Sequence, residues 1–350
     1  MTGIFKKYLF KSALPAKAGI QLIIFPLFFI SWFNWSTLQA GEQTTLLSRT
    51  LFLDAAVAGN NVVMVGERGQ IAILAHKKNR THINTPTDTT LTAVYFLDDK
   101  YGWAAGHDAV ILKTADGGQH WQQVYSAPEL ESPLLDIWFE NNHHGIAIGA
   151  YGLYLTTTDG GNTWSREEMK IAKQENGPID PENPDALIEA HDLHLNAIAR
   201  SGSGKLYIAA EAGRIYRSDD MGVTWRELPS PYNGSLSGVL PLPDETMLVF
   251  GLRGRLYRSD NAGENWTQIE TRTSKLLMNA VRLQDGRIMI VGMGGTVLVS
   301  TDDGKSFSLV QLGYQHDLAA AVETDDHELV IVGDHGIENF NVRELVSTDD

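Results

Sequence analysis

The chain has 350 residues, no cysteine, and 43 acidic against 28 basic residues, for a formal net charge of −15. Without cysteine there is no disulfide, thiolate catalysis or sulfur-ligated zinc, and the acidic balance excludes non-specific binding to nucleic acid. Ordinary apolar content with 33 glycines points to a folded chain rich in turns.

The first 40 residues differ from the rest. Their only charges are Lys6, Lys7, Lys11 and Lys17, and the apolar run AGIQLIIFPLFFISWF follows from Ala18 to Phe33. A basic head, an apolar middle and the small Ala40 at the exit predict a secretory signal over residues 1–40. The alternative is an uncleaved anchor from Ala18 to about Leu38, just long enough to span a bilayer. Both place the body, residues 41–350, outside the cytoplasm, in the periplasm. Setting aside those four lysines leaves the body 24 basic and 43 acidic residues, a net charge of −19.

From residue 52 onward the chain repeats. Each unit opens on a short apolar segment: FLDAAV at Phe52, LTAVYF at Leu91, LLDIWF at Leu134, LNAIAR at Leu195, LSGVLP at Leu236, MNAVRL at Met278 and LAAAVE at Leu318. A Gly-x-x-Gly signature or a close variant comes next: GERG at Gly66, GHDA at Gly106, GAYG at Gly149, AEAG at Ala210, GLRG at Gly251, GMGG at Gly292 and GDHG at Gly333. Five units then carry Ser/Thr-x-Asp-x-Gly-x-x-Trp/Phe. The key residues are Asp116 and Trp121, Asp159 and Trp164, Asp220 and Trp225, Asn261 and Trp266, and Asp302 and Phe307. Each unit reads as four short strands, a to d, separated by Gly/Asp turns. Four strands repeated about every 41 residues predict an all-β fold, a seven-bladed propeller of antiparallel blades. The third residue of strand a is small in most units (Ala93, Ala197, Gly238, Ala280, Ala320) because inner strands converge on the axis. Asp136, and Asp54 if it takes that position, break the series and are candidates to line the channel.

Units three and four are separated by an acidic insertion at about 166–194, with eight acidic and three basic residues and prolines at 178, 181 and 184. The prolines predict a loop. The seventh unit has strands a, b and c and then the chain ends. The strand-like EQTTLLS at Glu42–Ser48 is predicted to complete that blade and so remove an exposed edge.

In the repeated turn, Asp accepts backbone N–H groups, Gly allows positive φ, and the aromatic packs beneath. Asn261 and Phe307 preserve bonding and packing, which suits a structural element. Each turn offers one or two carboxylates where calcium takes six to eight oxygens.

This turn resembles the Asp-box, or BNR repeat, of sialidases and related propellers. The longer phrase YGWAAGHDAVILKTADGGQHW (Tyr101–Trp121) is similar to the photosystem II stability/assembly factor family, over about residues 42–350. That resemblance implies an exported, non-enzymatic propeller that binds subunits of a membrane protein complex, expected here as a monomer without a cofactor. In a bacterium without photosynthesis the complex would be an envelope transporter or similar assembly. The family uses an arginine-rich patch for its partner. Arg68 in GERG and Arg253 in GLRG match it best, with Arg214 and Arg255 on the same turns. These b–c turns lie on the face opposite the Asp-boxes, and the insertion is expected on their side.

Two other readings are weaker. His191 and His194 in HDLH, and His143 and His144 in NNHHG, lack carboxylates at metal-ligand spacing. A sialidase-like glycoside hydrolase would need a Tyr–Glu or paired-carboxylate arrangement that no spacing assigns, and a shared fold does not carry an activity with it.

Overall fold

The structure, a computed structural model, describes residues 50–75, 79–172, 193–312 and 315–341. The signal or anchor segment, the predicted closing strand at Glu42–Ser48 and most of the acidic insertion lie outside the described residues. Within them, twenty-seven strands form seven antiparallel sheets. Six sheets have four strands in up-and-down order, and the seventh has a, b and c: Leu318–Glu323, Glu328–Gly333 and Gly336–Asn341.

Valine- and isoleucine-rich segments such as NVVMVG and IMIVG form the b strands, which lie buried on both sides between neighbouring blades. Seven apolar clusters fill the seven spaces between adjacent blades. In the space between blades 1 and 7, Phe52, Val62 and Met64 meet Val330, Val332 and Ile337. The inner strands also touch in sequence around the axis, the seventh against the first. The seven-bladed propeller expected from the repeat is therefore a closed ring.

Each inner strand carries a register shift at its second residue, as between Leu91 and Ala93. One strand departs from the sequence reading. The sixth inner strand is Leu277–Arg282, so its third residue is Asn279 rather than Ala280. The difference has a structural use, because polar residues at the second and third positions join one blade to the next. Three reach the backbone N–H of the following blade's fourth residue: Asp54 accepts from Val94 (2.8 Å), Asp136 from Ile198 (2.8 Å) and Asn279 from Ala321 (3.3 Å). Three donate to the carbonyl of the following blade's first residue: Thr92 to Leu134 (2.6 Å), Asn196 to Leu236 (2.7 Å) and Ser237 to Leu277. Six of the seven blade junctions thus carry a side-chain stitch at the axis. At the 7-to-1 junction the corresponding residues are Ala319 and Ala320, whose methyl groups cannot form one.

The Asp-boxes hold blades together at the other end. In blade 3, Asp159 accepts the Thr163 N–H (2.9 Å), the Thr163 hydroxyl (2.7 Å) and the Thr157 hydroxyl (2.9 Å). The N–H of Gly161, at φ 78°, donates to the Thr157 hydroxyl oxygen (2.9 Å). The same set recurs around Asp220 and Asp302, and Asn261 reproduces the backbone bond to Asn265. These boxes dock on the preceding blade: the Trp103 indole donates to the Gly160 carbonyl (3.2 Å) and the Tyr154 hydroxyl to that of Gly222 (3.0 Å). Trp266 departs from the expected burial. It is half-exposed, and its indole donates to the Pro229 carbonyl (2.8 Å) while the ring stays against Gly263 of its own turn.

Candidate functional site

The b–c turns and the starts of the inner strands share one face of the ring. In all seven blades the first turn residue donates its N–H to the carbonyl just before strand a, from Glu67 to Leu51 (3.1 Å) in blade 1 to Asp334 to Asp317 (3.1 Å) in blade 7. This tie explains the Gly-x-x-Gly signature. The first glycine has extended backbone, but a Cβ at Gly66 or Gly251 would overlap the carbonyl oxygen of the residue before strand a. The second glycine occupies left-handed backbone, as at Gly69 (φ 66°) and Gly254 (φ 66°). The residue before it is left-handed too, and Gln70 N–H closes onto the Glu67 carbonyl (3.1 Å). Two successive positive φ values in a hairpin make a type I′ turn, which matches the twist of the flanking strands.

In blades 1 to 6 the first left-handed position is the tip of the turn. It holds Arg68 (φ 55°), Asp108 (φ 56°), Tyr151 (φ 53°), Ala212 (φ 52°), Arg253 (φ 60°) and Gly294 (φ 64°). A residue with a Cβ there costs about 1–2 kcal/mol relative to ordinary backbone. Arg68 and Arg253 project into solvent, as does Arg255 just past the turn, and among the described residues none of the three forms an ion pair. Arg214 is different: it is half-buried and pairs with Glu227 on the outer strand of its own blade. The four sequence-predicted arginines therefore fall on one face, but on blades 1, 4 and 5, around a rim rather than in one patch.

The same rim is apolar in places that the sequence reading passed over. Tyr151 is 58% exposed, Leu252 41% and Met293 40%, and all three belong to b–c turns. The signal was available, since Leu252 and Met293 place apolar side chains at turn positions where solvated residues are usual.

Inside the rim the channel holds a cavity of about 520 Å³, walled by Leu135, Leu276 and Met278 and reaching the rim at Leu252. Asp54 and Asp136 both face it, as the broken series of small residues suggested. Each is reached from the lumen yet enclosed by protein, and burial pushes both carboxyls up to about 7. The Asp136 charge adds to the rise at Asp54, against the N–H groups of Val94 and Ala55.

The Asp-box carboxylates behave oppositely. The backbone N–H of Thr163, then its hydroxyl, lowers Asp159 to about 2. At Asp302 burial acts upward but is outweighed by the Ser306 hydroxyl and N–H, giving about 2. Their oxygens are already occupied by local donors. Of the histidines weighed from sequence, His143 and His144 sit on the opposite, a–b face, where their N–H groups bond to Asn141 (2.8 and 3.0 Å). His194 lies near Glu211 (3.5 Å), and His191 is outside the described residues. The described start of the insertion runs along the outer edge of blade 4: Trp225 N–H donates to the Lys170 carbonyl (2.8 Å) and Ala172 N–H to that of Trp225 (2.8 Å). It therefore leaves along a blade edge, near the Asp-box end of that blade.

The family model described as photosynthesis system II assembly factor YCF48 matches residues 73–337. Among solved structures, the chain is similar to one described as "YCF48 bound to D1 peptide" (18% identity, TM-score 0.63, covering 83% of this chain and 92% of that one). It is similar to "YCF48 from Cyanidioschyzon merolae" (14%, 0.63, 85% and 97%) and to a streptogramin B lyase (14%, 0.66, 83% and 93%). At these identities the likeness to each structure is one of fold. No curated protein matches the sequence.

Proposed function

This chain belongs to the photosynthesis system II assembly factor YCF48 family, and we propose from that premise that it is an exported, non-enzymatic interaction module. Its b–c face binds a segment of a membrane protein and assists the assembly or operation of the complex that contains it. The carrying observation is the rim: Arg68, Arg253 and Arg255, exposed and without ion pairs among the described residues, share it with exposed Tyr151, Leu252 and Met293 around a channel mouth. Arginine and aromatic or aliphatic anchors are what a peptide-binding surface concentrates. The ligand that fits is an extended segment carrying carboxylates for the arginines and an apolar side chain for the mouth. A family protein has been solved with a bound peptide, which supports the same mode here.

No catalytic role is assigned. Asp54 and Asp136 each accept two backbone N–H bonds and serve as stitches between blades, and likeness to a lyase in fold does not carry its chemistry.

The test is recovery of the membrane partner. The full chain and an Arg68→Glu/Arg253→Glu variant are expressed in the native cell, crosslinked, affinity-purified and read by mass spectrometry. An integral membrane protein is expected with the wild type and depleted at least about tenfold with the variant, equivalent to about 1.4 kcal/mol, at unchanged melting temperature. Equal recovery overturns the assignment of this face.

A further inference from the structure

On blade 7 the b–c turn brings together two histidines that are far apart in sequence. His316 lies in the segment leading into the inner strand at Leu318, and Asp334 and His335 form the turn between strands b and c. The N–H of Asp334 donates to the Asp317 carbonyl (3.1 Å), and the N–H of Asp317 donates back to the Asp334 carboxylate (3.1 Å). This reciprocal pair fixes the carboxylate beside His316. Blade 6 braces the same segment: Gly295 N–H donates to the His316 carbonyl (2.6 Å) and Gly294 N–H to the Asp317 carboxylate (2.7 Å). The rings of His316 and His335 stack at 3.4 Å and 24°, and Nδ1 of His335 lies 3.0 Å from the Asp334 carboxylate. The ligating atoms of the three side chains all lie within 4.8 Å of one another.

We propose that His316, Asp334 and His335 form a binding site for a divalent cation of the zinc class. Two imidazoles with one carboxylate are the donor set of a borderline ion, whereas calcium and magnesium take oxygen throughout. Bonds of about 2.0–2.1 Å require the donors to draw closer than their present spacing. His335 is exposed, so the imidazoles unstack by rotation of its ring while the Asp334 carboxylate and the braced backbone stay in place. Three protein ligands leave one tetrahedral position for water. The site lies on the rim between Met293 of blade 6 and Arg68 of blade 1, beside the junction that lacks a side-chain stitch. A metal there would tie the segment entering the last blade to that blade's own turn. The proposal stands on these residues alone and does not depend on which partner the rim binds.

The experiment uses the full chain with an affinity tag free of histidine. Zinc, and calcium as a control, are titrated by calorimetry and by thermal melting. The wild type is expected to bind one equivalent of zinc and to melt higher with zinc but not with calcium. His316→Ala/His335→Ala should lose affinity by at least about tenfold. Asp334→Asn keeps an oxygen for the Asp317 N–H and should melt like the wild type without metal, yet bind zinc more weakly. That variant keeps the test open if the double variant folds poorly. The chain has 11 histidines, so an undiminished zinc effect in the variants locates binding elsewhere and overturns the proposal. So does the absence of any zinc-dependent shift in the wild type.

Discussion

At Asp54 one carboxylate braces two strands: one oxygen accepts the N–H of Ala55 (2.8 Å) and the other that of Val94 in the next blade (2.8 Å). Asp136 repeats this between blades 3 and 4. Burial raises both carboxyls from 3.8 to about 7. The folded chain therefore holds these protons more tightly than the unfolded chain between about pH 4 and pH 7. Their contribution to stability is full below that window and falls as pH rises through it. The Asp-box aspartates shift downward, so their contribution is present above about pH 4 and is lost toward pH 2. The two sets titrate in separate windows. Asn279 accepts the corresponding bond in blade 6, so asparagine suits the position. Asp54→Asn/Asp136→Asn is expected to gain stability relative to the wild type as pH rises from 5 to 8, in paired denaturant titrations. An unchanged difference between the two proteins across that range would contradict the assignment.

At the scale of the element, the repeated turns are self-contained. Ser218 donates to Asp220 (2.8 Å) and accepts the N–H of Gly222 (2.8 Å) while nearly fully buried. Ser218→Ala removes both bonds and should cost about 1–2 kcal/mol, read as a lower denaturant midpoint. Added calcium should leave the midpoint of the wild type where it was. Such turns are legible in sequence because their chemistry is local: glycines at fixed offsets report positive φ, and Asp with Ser or Thr two residues earlier reports a hydrogen-bonded loop. Contacts across blades are not local and were largely hidden. Thr92, Asn196 and Ser237 look like ordinary strand residues until the next blade is in place. The offset of one residue at Leu277 follows from the same limit, since an apolar pair such as Leu277–Met278 allows either start until strand pairing fixes it. His316 and His335 show no metal-ligand spacing along the chain, because the topology of the blade brings them together.

For the whole molecule, the ring sorts its loops into two faces with different chemistry. The c–d face carries Asp-boxes whose polar atoms are spent on one another and on the preceding blade. The b–c face carries arginines without ion-pair partners among the described residues, exposed apolar tips and the end of the channel cavity lined by Leu252. The fold and the division into faces could be read from the repeat period. The apolar half of the rim was legible only in part: Leu252 and Met293 stand at turn positions where solvated residues are usual, but their exposure depends on which blade edge shields which turn. Site-specific photo-crosslinking in the native cell tests the central claim most directly. A photoreactive residue is placed at Arg253 or Met293 on one face and at His120 or Thr224 on the other. The account predicts adducts with one integral membrane protein from the first pair and none from the second. Adducts formed from the Asp-box positions, with the b–c positions silent, would contradict it.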